Sequence, residues 1–265
     1  MAQWQKLAQV WLAQIRYSVT RDLMFQNNFL LWVFVEALWM TMQFLFVEVI
    51  YSHIDSIAGW SKYQMLFLLG THYLVMNLFQ TFFMVNLSEI PELVRTGRMD
   101  FFLLQPVGPQ FLLSTRKFDL SSLVNALIAA GLCFYAALRL GLQPGTAQMA
   151  GYLMLVCAGV AIHYSLLLAA VTLAFWITKT EGVMHGYYQI MTLSRIPRDA
   201  FRGLWKYVFS MILPVLLVAN VPASVLLGKA AWHLVFALVA AAVVFFLSAS
   251  AWFRLGLSKY RSASS

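Results

Sequence analysis

Stretches of about 20 apolar residues recur along this chain of 265 residues, and each is long enough to cross roughly 30 Å of hydrocarbon as a helix. No water reaches that layer, so a crossing backbone must satisfy its own hydrogen bonds, which an α-helix does within one segment. Only 11% of residues are charged and 62% are apolar, whereas soluble domains carry roughly a quarter charged residues. These features exclude a soluble globular domain. They predict an all-α polytopic membrane protein, organised as one transmembrane domain over 1–265. The formal net charge of +8 is not a nucleic-acid signal, because Lys and Arg collect in the cytoplasmic segments of membrane proteins.

The first 26 residues lack the short apolar core and small-residue cleavage site of a signal peptide. Trp4, Leu7, Ala8, Trp11, Leu12, Ile15 and Val19 share one helical face, and Gln5, Lys6, Gln9, Arg16 and Tyr17 share the other. Such a helix, over 1–26, lies in the membrane interface. Spans are expected at 28–50, 62–87, 120–140, 146–177 and 232–253. The stretch 146–177 is longer than a bilayer requires, so it tilts or protrudes. Cys133 and Cys157 both fall inside apolar runs. They read as buried free thiols, the other possibility being one disulfide between spans.

Between Lys179 and Gly228 two readings stand. In one, 207–227 is the fifth span and 179–206 a cytoplasmic loop. In the other, 181–197 is a short polar fifth span and 201–228 a re-entrant segment broken by Pro214 and Pro222. Both give six crossings. The side holding the termini carries 15 of the 18 Lys and Arg in the first reading and 11 in the second, so both place the termini in the cytoplasm.

Few polar groups enter the apolar runs. Trp32, Glu36, Trp39 and Gln43 recur on one stripe of the first span, and Tyr73, Asn77, Gln80 and Met84 on one stripe of the second. A carboxylate at membrane depth costs at least ~2.5–3.5 kcal/mol and faces a bundle interior or water. Glu36 is therefore either an interhelical hydrogen-bonding group or part of a substrate path, with Trp32, Trp39, Gln43, Tyr73, Asn77 and Gln80 as further path candidates. His163 reads as a core histidine rather than a proton relay.

The segment 88–119, SEIPELVRTGRMDFFLLQPVGPQFLLSTRKFD, holds eight of the chain's 28 formal charges and three of its seven prolines. Ser88 is placed to cap a short helix containing Pro91, with Glu89 and Glu92 near its positive end. Gly97 is placed to stop it, with Arg95 and Arg98 at the carbonyl end. Ile90, Leu93 and Val94 supply packing. Such an element suits either docking into a partner or a solvated connection. No P-loop, H-E-x-x-H or G-x-S-x-G motif occurs, and His53, His72, His163, His185 and His233 have no metal-site spacing. Nothing argues for catalysis, metal binding or a cofactor on this chain.

At these residues the chain resembles the permease subunits of ABC-2 type ABC exporters. The resemblance is to the branch with a G-x-x-D-x-x-L-x-x-P-V segment after span two, here Gly97-Arg98-Met99-Asp100-Phe101-Phe102-Leu103-Leu104-Gln105-Pro106-Val107. Thr180-Glu181-Gly182, Leu213-Pro214 and Val221-Pro222-Ala223 also fit that branch. The resemblance implies an N-terminal interfacial helix, six spans and a cytoplasmic coupling helix comprising Ser88, Glu89, Ile90, Pro91, Glu92, Leu93, Val94, Arg95, Gly97 and Arg98. It also implies re-entrant helices between spans five and six, and so favours the second reading above.

The implied partners are a separate ATPase subunit, which holds ATP and Mg, and a second permease as homo- or heterodimer. The expected location is the bacterial cytoplasmic (inner) membrane. The expected function is outward movement of a hydrophobic or amphipathic substrate such as a lipid, drug, peptide or glycan carrier. The competing class is an ion-coupled secondary transporter or channel, which needs embedded ionisable residues in several spans.

Overall fold

The computed structural model describes residues 3–177 and 180–260. It is all-helical, and no strand occurs among the described residues. An amphipathic helix α1 (Gln3–Met24) runs into α2 (Gln26–Tyr51) across the single residue Phe25. A tight loop then leads to α3 (Lys62–Phe79). Ser61 and Gln64 form a capping box there, satisfying amides that a helix start leaves without partners. The loop is drawn onto the helix ends by Tyr51 Oη donating to the Trp60 carbonyl at 2.7 Å and by a 2.9 Å Lys62–Glu48 ion pair.

After Phe79 the second membrane helix passes through a π-helical turn, Gln80–Met84, into α4 (Val85–Ser88) and then α5 (Ile90–Arg95). The backbone stays helical through Glu89, whose carbonyl accepts from Leu93 N. Lys62–Arg95 is thus one element of 34 residues, about 51 Å at 1.5 Å per residue. The expected capping of a separate helix by Ser88 is not what occurs. Ser88 closes α4, and Glu89 takes the N-cap position without a side-chain bond. The reason is that the preceding span continues, leaving no free helix start to cap.

Short helices α6 (Asp100–Leu103) and α7 (Pro109–Thr115) carry the chain back to α8 (Leu120–Arg139). Asp119 caps α8, accepting from the amides of Ser121 and Ser122. Next come α9 (Thr146–Thr172) with a 3-10 turn to Phe175, then α10 (Glu181–Met191) with a 3-10 turn to Arg195. The short α11 (Gly203–Tyr207) runs through a second π turn, Val208–Ile212, towards α12 (Val215–Leu226), and α13 (Trp232–Lys259) follows.

Among the described residues, five helices are long and apolar enough to cross a membrane, or six if the bent pair 203–212 and 215–226 is one span. That pair turns by 85° at Leu213 and Pro214, where proline's missing amide and fixed φ break the ladder. α10 has 11 residues, about 16 Å, so it is too short to cross by itself.

The core lies where α3, α8, α9, α12 and α13 meet. Val215–Ala223 of α12 is buried without exception. Helices in lipid associate by close packing of small residues rather than by expulsion from water, and Gly70 shows how closely α3 and α8 approach. A Cβ there would lie 2.7 Å from Cys133 Sγ and 3.1 Å from the Cys133 amide nitrogen. Both cysteines are free; Cys133 is buried, but Cys157, expected to be buried, is exposed. His163 is buried, with Nδ1 3.0 Å from Tyr187 Oη and Nε2 without a partner among the described residues.

Candidate functional site

Two regions bring the expected functional residues together. The first is the charged end of the 34-residue element. Ile90 and Leu93 of α5 are buried, whereas Glu92 and Arg95 are exposed and ion-paired at 2.8 Å, with Arg98 3.8 Å from Glu92. Exposed pairs of this kind contribute little to stability, so these side chains are free to meet another surface. Gly97, at φ 72°, takes the left-handed conformation that ends the helix. Pro91, Glu92 and Arg95, with Ser88, form one wall of a groove of about 440 Å³; Met184, His185 and Tyr188 of α10 form the other. Ser88 Oγ lies 3.5 Å from Tyr188 Oη across it. The α10 wall was not foreseen, since only tertiary contact brings it here.

Glu89 serves a different purpose from its neighbours. It pairs with Arg116 and Lys117 on the returning chain. Burial pushes the Arg116 guanidinium below its usual pKa, and Glu89 opposes that shift. Asn86 and Lys117 exchange two hydrogen bonds of 2.8 Å, Asp119 N donates to the Thr81 carbonyl at 3.0 Å, and Phe118 N donates to Ser18 Oγ of α1 at 3.1 Å. The interfacial helix, the π turn and the return loop are therefore pinned to one another.

The second region is a cavity of about 630 Å³ bounded by α1, α2, the π turn and the start of α8. Trp32, Glu36 and Gln80 line it, together with Arg21, Asp22, Phe25, Phe29, Phe118 and Asp119. Asn125 of α8 donates to Glu36 Oε2 through Nδ2 at 2.9 Å, and Gln80 Oε1 accepts from Ser122 Oγ at 3.2 Å. Asn125 was missed in the sequence. Its signal was the spacing Ser121, Ser122, Asn125 on an otherwise apolar helix.

The remaining path candidates do not gather here. Trp39 points away from the protein and is 62% exposed. Gln43 lines a separate cavity of about 170 Å³ beside Arg195. Tyr73 lies within electrostatic reach of Arg195, and Asn77 is buried, donating to the Tyr73 carbonyl of its own helix at 2.9 Å. A further, mostly apolar groove of about 870 Å³ lies on another flank of the π turn, lined by Phe82, Phe83 and Cys157. Gln110 there donates to Tyr164 Oη at 3.0 Å and Ser250 Oγ at 2.9 Å. Among the described residues no group of His, Cys, Asp and Glu could hold a metal ion.

The model of the family described as ABC-2 family transporter protein matches residues 37–264. No curated protein and no solved structure matches the chain. The matched stretch takes in the long α3–α5 element, the return loop and all later helices, so the chain belongs to the ABC-2 transporter family and is a membrane permease of the ABC transporters.

Proposed function

We propose that this permease is the membrane half of an ATP-driven exporter, moving a hydrophobic or amphipathic substrate out of the cytoplasm. ATP and magnesium belong to a separate ATPase subunit, which engages the exposed face of α5 and the groove beside α10. The observation that carries this reading is the continuity of Lys62–Arg95. A partner pressing on Glu92, Arg95 and Arg98 acts on the same helix that, higher up, carries Gln80 into the cavity beside Glu36. Shifting populations in this way requires the partner to contact two states differently, and a rigid helix conveys that difference.

The membrane is the bacterial cytoplasmic membrane, with both termini in the cytoplasm and the permease paired with a second copy or a homologue. In this reading 181–197, α10 with its 3-10 extension, is the short fifth crossing and 201–228 is re-entrant, and two contacts fit it. Lys229, just beyond α12, donates to the Gly59 carbonyl at 3.1 Å and Gln64 Oε1 at 2.7 Å, at the outer end of α3. Asn220 accepts from Arg198 N at 2.8 Å and donates to the Ile196 carbonyl at 3.0 Å, so the chain entering α11 already lies beside α12.

The test is charge reversal at Glu92→Lys with Arg95→Glu, reconstituted with the cognate ATPase. Transport-coupled ATP hydrolysis is expected to fall about tenfold, the effect of ~1.4 kcal/mol lost at a contact, with permease abundance unchanged. Normal coupling in that variant would exclude docking at α5.

A further inference from the structure

We infer that the Trp32–Glu36 cavity is a binding site for a lipophilic cation, with the positive group against Glu36 and an apolar or aromatic body along Phe25, Phe29 and Trp32. Naming this ligand as the transported substrate rests on the exporter reading; the binding itself does not.

Four formally charged groups line the cavity, and they are Arg21, Asp22, Glu36 and Asp119. Arg21 is committed to Asp22, donating to Oδ1 through Nε at 3.0 Å and Nη2 at 2.8 Å. Asp119 accepts from the amides and hydroxyls of Ser121 and Ser122, at the positive end of α8. Glu36 has neither kind of compensation. Its one hydrogen-bond donor among the described residues is a neutral amide, Asn125 Nδ2.

Hydrogen bonding points the same way. Asn125 is fully buried, and its Oδ1 has no partner among the described residues. Glu36 Oε1 accepts from no described group, so acceptors are in excess beside the carboxylate. A carboxylate within a membrane span is normally paired or faces water, and a cation entering from the cavity supplies that pairing. Phe25, Phe29, Trp32 and Phe118 add aromatic rings to the lining, and a ring face attracts a cation within about 6 Å of its centroid. An anion would meet Glu36 and Asp119 with repulsion. A neutral guest would displace water and leave Glu36 uncompensated. The volume lies within the roughly 300–1,000 Å³ of sites for small organic ligands.

Tetraphenylphosphonium and tetraphenylborate have nearly the same shape and opposite charge, so they isolate the electrostatic part. Equilibrium dialysis of each against the purified full chain in nonionic maltoside micelles is the experiment. The phosphonium is expected to bind saturably and at least about tenfold more tightly than the borate, as suits a charge-assisted contact in a partly dry site. Glu36→Gln, which can still accept from Asn125, should weaken phosphonium binding by about tenfold while the thermal transition stays near wild type. Trp32→Ala, at an exposed side chain, should weaken it about threefold, and serves if Glu36→Gln does not fold. Equal binding of the two probes, or unchanged phosphonium affinity in a folded variant at Glu36, would overturn the inference.

Added phosphatidylethanolamine identifies the source of the cation. Competition with the phosphonium assigns the site to a lipid amine headgroup, and its absence assigns it to a free lipophilic cation. No ATPase is present in this assay. Failure of binding therefore leaves the docking test at α5 untouched, and failure of that test leaves the binding result standing.

Discussion

The two membrane helices that frame the cavity are opposites. In α2, the more apolar of the two, only 11% of the most apolar stretch is buried, whereas 61% is buried in the helix that begins with α3. In water that order would be perverse. In lipid it is physical, because an apolar side chain gains nothing by leaving one hydrocarbon surface for another. Burial follows close packing at small and polar residues, which takes Leu66, Phe67, Leu68, Leu69, Val75 and Phe79 of α3 in with them. α3 hides Gly70, Thr71, His72 and Asn77 among its neighbours, while α2 turns Phe34, Trp39, Phe46 and Val49 outwards. Within this chain α3 is the axis of the bundle, and α2 is attached along one edge.

That contrast can be broken from either side. The largest effect is expected on the axis. Gly70→Leu forces a side chain against the backbone of Cys133, and should cost about 3 kcal/mol, read as a lowered melting temperature and loss of monodisperse protein in detergent. A tolerated leucine would mean that α3 is not held as tightly as the geometry states. At the seam between the two helices and α8, Asn125→Ala removes the donor to Glu36. This should destabilise by about 1–3 kcal/mol, measurable by thermal unfolding; no change would show that Glu36 finds its partner elsewhere.

The smallest effect belongs to the outer face of α2. Trp39→Ala should alter the stability of the isolated chain by no more than about 0.5 kcal/mol. Trp39→Cys in a Cys157→Ser background tests what covers that face. A disulfide-linked dimer on mild oxidation is expected if it meets the same face of a second copy, and a wholly monomeric product would leave α2 facing lipid.

Much of this architecture was legible because its signals are local. An apolar run of sufficient length is a membrane helix whatever surrounds it, and the polar segment between Ser88 and Asp119 stood out for the same reason. The inward and outward faces of α5 also followed from spacing, since Ile90 and Leu93 are buried and Glu92 and Arg95 exposed. Periodicity says which residues share one face of one helix, not what stands opposite. Trp32, Glu36, Trp39 and Gln43 share a stripe, yet the neighbours change along α2. Glu36 meets Asn125, Gln43 lies by Arg195, and Trp39 is mostly exposed.

The cations between Arg195 and Lys206 carried a different ambiguity. Counted as charges, they are the difference between the 15 and the 11 Lys and Arg that the two readings put on the side of the termini. In the fold, Lys206 pairs with Asp199 at 2.9 Å on the surface and Arg198 donates to Ser210 at 3.1 Å, so two of them have partners within the chain. A count of residues cannot register such pairing. The π turn at Gln80–Met84 left no mark either, for nothing in Gln-Thr-Phe-Phe-Met departs from ordinary helical composition.

That turn has a consequence for torque. An α-helix advances about 100° per residue, and a π turn accommodates one residue more than the regular ladder, so it sets the phase between the two lengths of helix that it joins. Were the turn to revert to the regular α-helical ladder, the two lengths would rotate against each other. Gln80 would swing from Ser122, Phe82 and Phe83 would turn in their groove, and the charged face of α5 would change its bearing about the helix axis. The turn thus fixes the bearing of the charged face of α5 relative to Gln80 and the cavity.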